Sequence, residues 1–113
     1  MILSWILDTD SKVGIDYQIK KYFNTDMIPF NDVVKKGENF SSVELEKATL
    51  YAAEDALMTL KLFNKQLEVF KEKKEEELLS IAFELEFNFI YVIASMEQKG
   101  IKLICLELCQ YFF

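Results

Sequence analysis

Between Gly37 and Gly100 the chain carries no glycine and no proline, and its single proline, Pro29, lies before that interval. A stretch that long without a breaker makes helix the default, and its residues sort into two long helices. The first has a local start signal. Ser41 and Glu44 are spaced as a capping box, in which the hydroxyl and the carboxylate each satisfy an orphan backbone amide. Phe40 and Leu45 stand where a hydrophobic staple would hold the incoming chain. A helix is expected from Ser42 to about Glu72, burying a stripe of Leu50, Ala53, Leu57, Leu60 and Leu67. The run from Lys71 to Glu77 reads as a solvated helix end or hinge, and its last acids suit the N-terminus of a second helix at about residues 76–98. That helix is apolar on more than one face from Phe83 to Met96, which predicts burial on several sides, and Gly100 ends it.

The chain before Gly37 is shorter in period. Met1 to Leu7 is apolar on all sides, Asp8 to Gly14 is turn-rich, and Ile15, Ile19, Tyr22 and Phe23 mark one side of a short amphipathic helix stopped by Asn24. Phe30 to Lys36 is expected to make two helical turns, with Pro29 at the first position and Gly37 past the end. After Gly100, Ile101 to Ile104 is expected to begin a strand. The fold class is mainly α.

Composition excludes several chemistries. With no His and no Arg, the chain lacks the usual general base near neutral pH and the bidentate phosphate clamp. Thirteen lysines against nineteen acids give a net charge of −6, which opposes tight nonspecific binding to a nucleic-acid backbone. Carboxylate sites that recruit divalent cations remain open. Cys105 and Cys109 are too few for a structural zinc site, so buried thiols in a reducing, cytoplasmic compartment are expected. Glu84 and Glu86 interrupt the apolar stretch from Leu78 to Met96, and no membrane association is expected.

Tyr51 and Asp55 lie four residues apart, hence on one helix face. The pair is compatible with an ordinary amphipathic boundary. Against that, Asp is a poor residue for a helix interior, and Ala52, Ala53 and Ala56 leave room for close approach. A carboxylate held there suits a hard cation.

The stretch Leu50-Tyr-Ala-Ala-Glu-Asp-Ala-Leu-Met-Thr-Leu-Lys-Leu62 resembles the third exonuclease motif, Tyr-x-x-x-Asp, of the bacterial DNA polymerase I family (family A polymerases). The resemblance extends upstream through Pro29-Phe30-Asn31-Asp32 and Gly14–Phe23 to Met1–Asp10. Downstream it runs from Phe83-Glu-Leu-Glu-Phe to Leu103, where it fades. It implies that residues 1–72 are the helical C-terminal half of an RNase H-like, DEDD-type 3′–5′ exonuclease domain without its sheet. It implies that residues 73–113 open a truncated polymerase domain with a long helix.

By the same resemblance Asp55 would ligate a catalytic divalent metal, Mg²⁺ or Mn²⁺, Tyr51 would orient the attacking water, and Phe30 would pack on a base at a single-stranded 3′ end. The implied chemistry is two-metal phosphodiester hydrolysis, the metals about 3.5–4 Å apart. The parent enzyme would proofread and extend a DNA primer in replication and repair. The remaining motif acids would lie upstream of Met1, so the expectation is a fragment that is inactive alone and that self-associates through uncovered apolar surface. Asn88 stands where the family usually has Pro, Ile104 where it usually has Asp, and Cys105 to Phe113 leaves the pattern. The competing reading is a helical protein-interaction module that needs no chemistry from Tyr51 or Asp55.

Overall fold

The computed structural model describes residues 1–100. Among them there are helices and connecting turns, and no strand. The expected strand at Ile101, the thiols Cys105 and Cys109, and the divergence at Ile104 lie outside the described residues.

Helix α1 (Ile2–Leu7) is followed by the turn-rich loop and by α2 (Ile15–Phe23), which ends on Asn24 in the left-handed conformation (φ 53°). A single turn, α3 (Phe30–Val33), and a 3-10 turn (Phe40–Ser42) precede the long helix α4 (Leu45–Lys73). The last helix, α5 (Glu76–Lys99), contains a π-helical segment at Ala82–Glu86.

Two helices, α3 and α4, differ from the sequence expectation at their ends. Helix α3 stops after one turn, with Pro29 as its N-cap and Val34 extended. Val33 and Val34 are both buried. Helix α4 starts at Leu45, with Glu44 as its N-cap, and no side-chain cap is made. Ser42 Oγ donates to the Asn39 carbonyl (2.7 Å) within the 3-10 turn, and the Ser41–Glu44 capping box does not form. Leu45 is 80 % exposed and clamps nothing, while Phe40 packs elsewhere.

Helix α4 is the spine on which the other helices dock, but through the face opposite to the expected stripe. Leu62, Gln66 and Phe70 are its buried residues, and Tyr51, Asp55 and Met58 continue that face half-buried. Leu50, Ala53, Leu57 and Leu60 are exposed, and Leu67 alone of the expected stripe is part of a core. The reason is partner availability. Helix α1 sets Leu3 against the Phe70 cluster, together with Ala82 of α5. Helix α2 sets Ile19 against Leu62, with Met27 closing that second cluster. Between them Gln66 Nε2 donates to Ser4 Oγ (2.6 Å), satisfying the polar ends of two buried side chains.

The charged run is a hinge, as read. Lys74 is left-handed (φ 57°), and the Glu75 amide reaches the Phe70 carbonyl (3.0 Å) while the Lys74 amide reaches that of Lys71 (3.1 Å), a Schellman ending. Helix α5 then leaves the core. Apart from Ala82 and half-buried residues around it, the helix is exposed, including Phe89, Tyr91 and Met96, so the expected burial on several sides is not found. From Asn88 to Lys99 every residue of it is exposed. By length and composition α5 would suffice to cross a membrane (mean hydropathy 1.5), with Glu84 and Glu86 inside it. Just after the π segment, Asn88 Nδ2 donates to the carbonyls of Phe83 (3.2 Å) and Glu84 (2.9 Å), covering acceptors that the wider turn leaves loose.

Candidate functional site

Tyr51 and Asp55 occupy the first turns of α4, on the face that carries the core farther along. The periodicity of 3.6 places Lys47 and Glu54 on the same flank, one turn before and one turn after Tyr51. Over this face lies the segment that leads into α3. Phe30, Phe40 and Tyr51 form an aromatic cluster. The Phe30 and Phe40 rings are near-parallel (11°) with centroids 6.4 Å apart, and each meets Tyr51 at 6.1 Å in a tilted or edge-on arrangement. Such geometries suit the ring quadrupoles. Phe30 remains 52 % exposed and Phe40 41 %, so a flat ring system is open to solvent beside the Tyr51–Asp55 pair.

Two polar contacts join the segment to α4. The Ile28 amide donates to Glu54 Oε2 (2.7 Å), and Lys47 Nζ donates to the Asp32 carbonyl. The electrostatics are acidic. Partial desolvation, then the negative charge of Asp55, hold the Tyr51 hydroxyl above its ordinary pKa, with Asp16 and Glu54 adding in the same direction. The phenol is therefore protonated at neutral pH and available as a donor.

The three residues singled out from the sequence, Phe30, Tyr51 and Asp55, fall in one region, with Phe30 against Tyr51 and Asp55 acting on the Tyr51 hydroxyl. Phe40, Glu54 and Lys47 were not foreseen as parts of it. The spacing of Lys47, Tyr51 and Glu54 was the available signal. Phe40 had none, because its ring partners Phe30 and Tyr51 lie on other elements and share no helical period with it.

A divalent metal is a poor fit to these residues alone. Among the described residues no group of three or more His, Cys, Asp or Glu side chains converges on one point. Hard cations take about six oxygen ligands, Asp55 brings one carboxylate, and Glu54 already accepts from Ile28. A cleft of about 450 Å³ lies apart from the site and is apolar, lined by Leu3, Val13, Ile15, Leu62 and Phe63 among others.

Residues 1–71 match the family model described as 3′–5′ exonuclease. Proteins named DNA polymerase I are similar over most of the chain: 41 % identical over 104 residues in Borreliella burgdorferi and 36 % over 105 residues in Treponema pallidum, each covering 91 % of this chain. The Rhizobium leguminosarum protein of that name is 35 % identical over 106 residues, or 89 % of this chain. The chain spans only about a tenth of these relatives' length, 10–11 %. No solved structure matches it. With more than half of its residues under the family model, the chain belongs to the 3′–5′ exonuclease family of DNA polymerase A.

Proposed function

We propose that the chain is a portion of a DNA polymerase I in which Tyr51 and Asp55 serve removal of nucleotides from a single-stranded DNA 3′ end. One observation carries this reading. The family's Tyr-x-x-x-Asp pair lies on a half-buried face beside exposed rings. In it Asp55 would contribute one carboxylate ligand to a Mg²⁺ or Mn²⁺ ion whose other ligands would come from outside the described residues. Tyr51, held protonated, donates its hydroxyl hydrogen to orient the attacking water. Phe30 offers a ring face to the terminal base, a contact worth about 1–3 kcal/mol per base. Residues from about Lys73 onward open the polymerase domain. The parent protein proofreads and copies DNA in the cytoplasm, in replication and repair.

Since no group of three or more ligating side chains that could hold a metal is found among the described residues, the chain by itself is expected not to hydrolyse DNA. The purified chain is incubated with single-stranded DNA and Mg²⁺ or Mn²⁺. Turnover abolished by Asp55→Ala would overturn the view that further ligands are required. The coding DNA upstream of Met1 provides the second test, because an in-frame Asp-x-Glu segment is expected there. Unrelated upstream sequence would favour the interaction-module reading, which draws on the exposed leucines of α4 and the exposed α5.

A further inference from the structure

We infer that Glu54 and Lys47 are positioning residues: together they latch the backbone of residues 28–32 onto α4 and so set the Phe30 ring against Tyr51. The geometry is specific. Both latches join an α4 side chain to backbone groups of the segment, the Glu54 carboxylate to the Ile28 amide (2.7 Å) and the Lys47 ammonium to the Asp32 carbonyl. They bracket Phe30 in sequence, two residues before it and two after, and they bracket Tyr51 on the helix, four residues before and three after. A segment held at two points cannot swing about either one. Without them the segment would be anchored at its ends by buried Met27, Val33 and Val34, and between these only by half-exposed rings.

The chemistry of the pair suits the role. Both bonds involve an ionised group and a backbone partner, the stronger class of hydrogen bond. The Ile28 amide precedes Pro29, which has no N–H and restricts the residue before it to extended backbone. Ile28 is therefore the last amide before α3 that can point at α4, and Glu54 is the residue one turn beyond Tyr51 that meets it.

The inference rests on the proposed role of Phe30, and the experiment separates the two. In the isotope-labelled full chain, hydrogen exchange at the Ile28 amide is compared in wild type, Glu54→Gln and Glu54→Ala. Protection is expected to fall at least tenfold in Glu54→Ala and to survive in Glu54→Gln, whose carbonyl still accepts, with protection along α4 from Leu62 to Phe70 unchanged. Ring-to-ring NOEs between Phe30 and Tyr51 should weaken with Glu54→Ala and further with Lys47→Ala added. Equal Ile28 protection in Glu54→Ala and wild type, or unchanged NOEs, would overturn the latch. Binding of a short oligo(dT) is the second measurement. Glu54→Ala should weaken it several-fold, Glu54→Gln should restore it, and Glu54→Ala should add nothing once Phe30→Ala is present. Loss of Ile28 protection and of the NOEs without any change in oligo(dT) binding would leave the latch standing and overturn the stacking role of Phe30.

Discussion

Tyr51 holds its proton more firmly than an ordinary phenol because partial desolvation and then the Asp55 carboxylate penalise the phenolate. Replacing Asp55 by Asn removes the charge and should bring the Tyr51 titration down, read as phenolate absorbance after subtracting the profile of Tyr51→Phe. The linkage has a definite sign. The folded-state pKa is raised, so the neutral phenol is the form favoured by folding. Its contribution is fully present below the ordinary phenol pKa and is lost as pH rises through the folded value. Asp55→Asn should therefore flatten the fall of stability at alkaline pH. A second residue-scale prediction concerns Ser4 and Gln66, which are 2 % and 3 % exposed and bonded to each other. Ser4→Ala strands the Gln66 amide and should cost about 1–3 kcal/mol in urea unfolding. Ser4→Ala combined with Gln66→Leu should recover part of that loss, because no buried donor is then left unpaired.

At the scale of the element, α4 has two faces of similar apolar content and different fate. Phe70 is fully buried between α1 and Ala82, so Phe70→Ala should cost about 3–5 kcal/mol. Leu57 is 50 % exposed, and Leu57→Ala should change stability by only about 0.5 kcal/mol. Chemical denaturation of the two variants checks this, and equal losses would mean that the leucine stripe is covered. The amphipathic pattern was legible in the sequence as a period. Which side would be inward was not, because leucines and alanines at Leu50, Ala53, Leu57 and Leu60 read as a better stripe than one interrupted by Gln66. Gln66 belongs inside only because Ser4, sixty-two residues away, accepts its hydrogen. The start of α4 was misplaced for a similar reason. The capping residues are present, but Ser41 is taken up in the 3-10 turn at Phe40–Ser42, and Phe40 finds the rings of Phe30 and Tyr51.

At the scale of the molecule, the Cα radius of gyration of the described residues is 19.4 Å, against about 13 Å for a compact chain of about 100 residues. The excess follows from α5 running away from the core and from α4 covered on one side only. Exposed Leu50, Leu57 and Leu60 on α4, with Phe89, Ile90 and Val92 on α5, leave more apolar surface than a monomer usually tolerates. The chain should self-associate with rising concentration in sedimentation velocity, and the double variant Leu57→Glu, Leu60→Glu should shift it towards monomer. A sharp monomer peak and a cooperative melt for the unaltered chain would refute this.

The sequence by itself determined the helical class, a break between the two long helices within Lys71–Glu77 and the placing of Tyr51 and Asp55 on one face, since these depend on breakers, charge runs and a period of 3.6 residues. Only the tertiary structure decided that this face, and not the leucine stripe, points inward, that Phe40 joins Phe30 over Tyr51, and that Glu54 and Lys47 hold them there. Periodicity says which residues share a side. What a side meets depends on segments remote in the chain, and that is settled by packing.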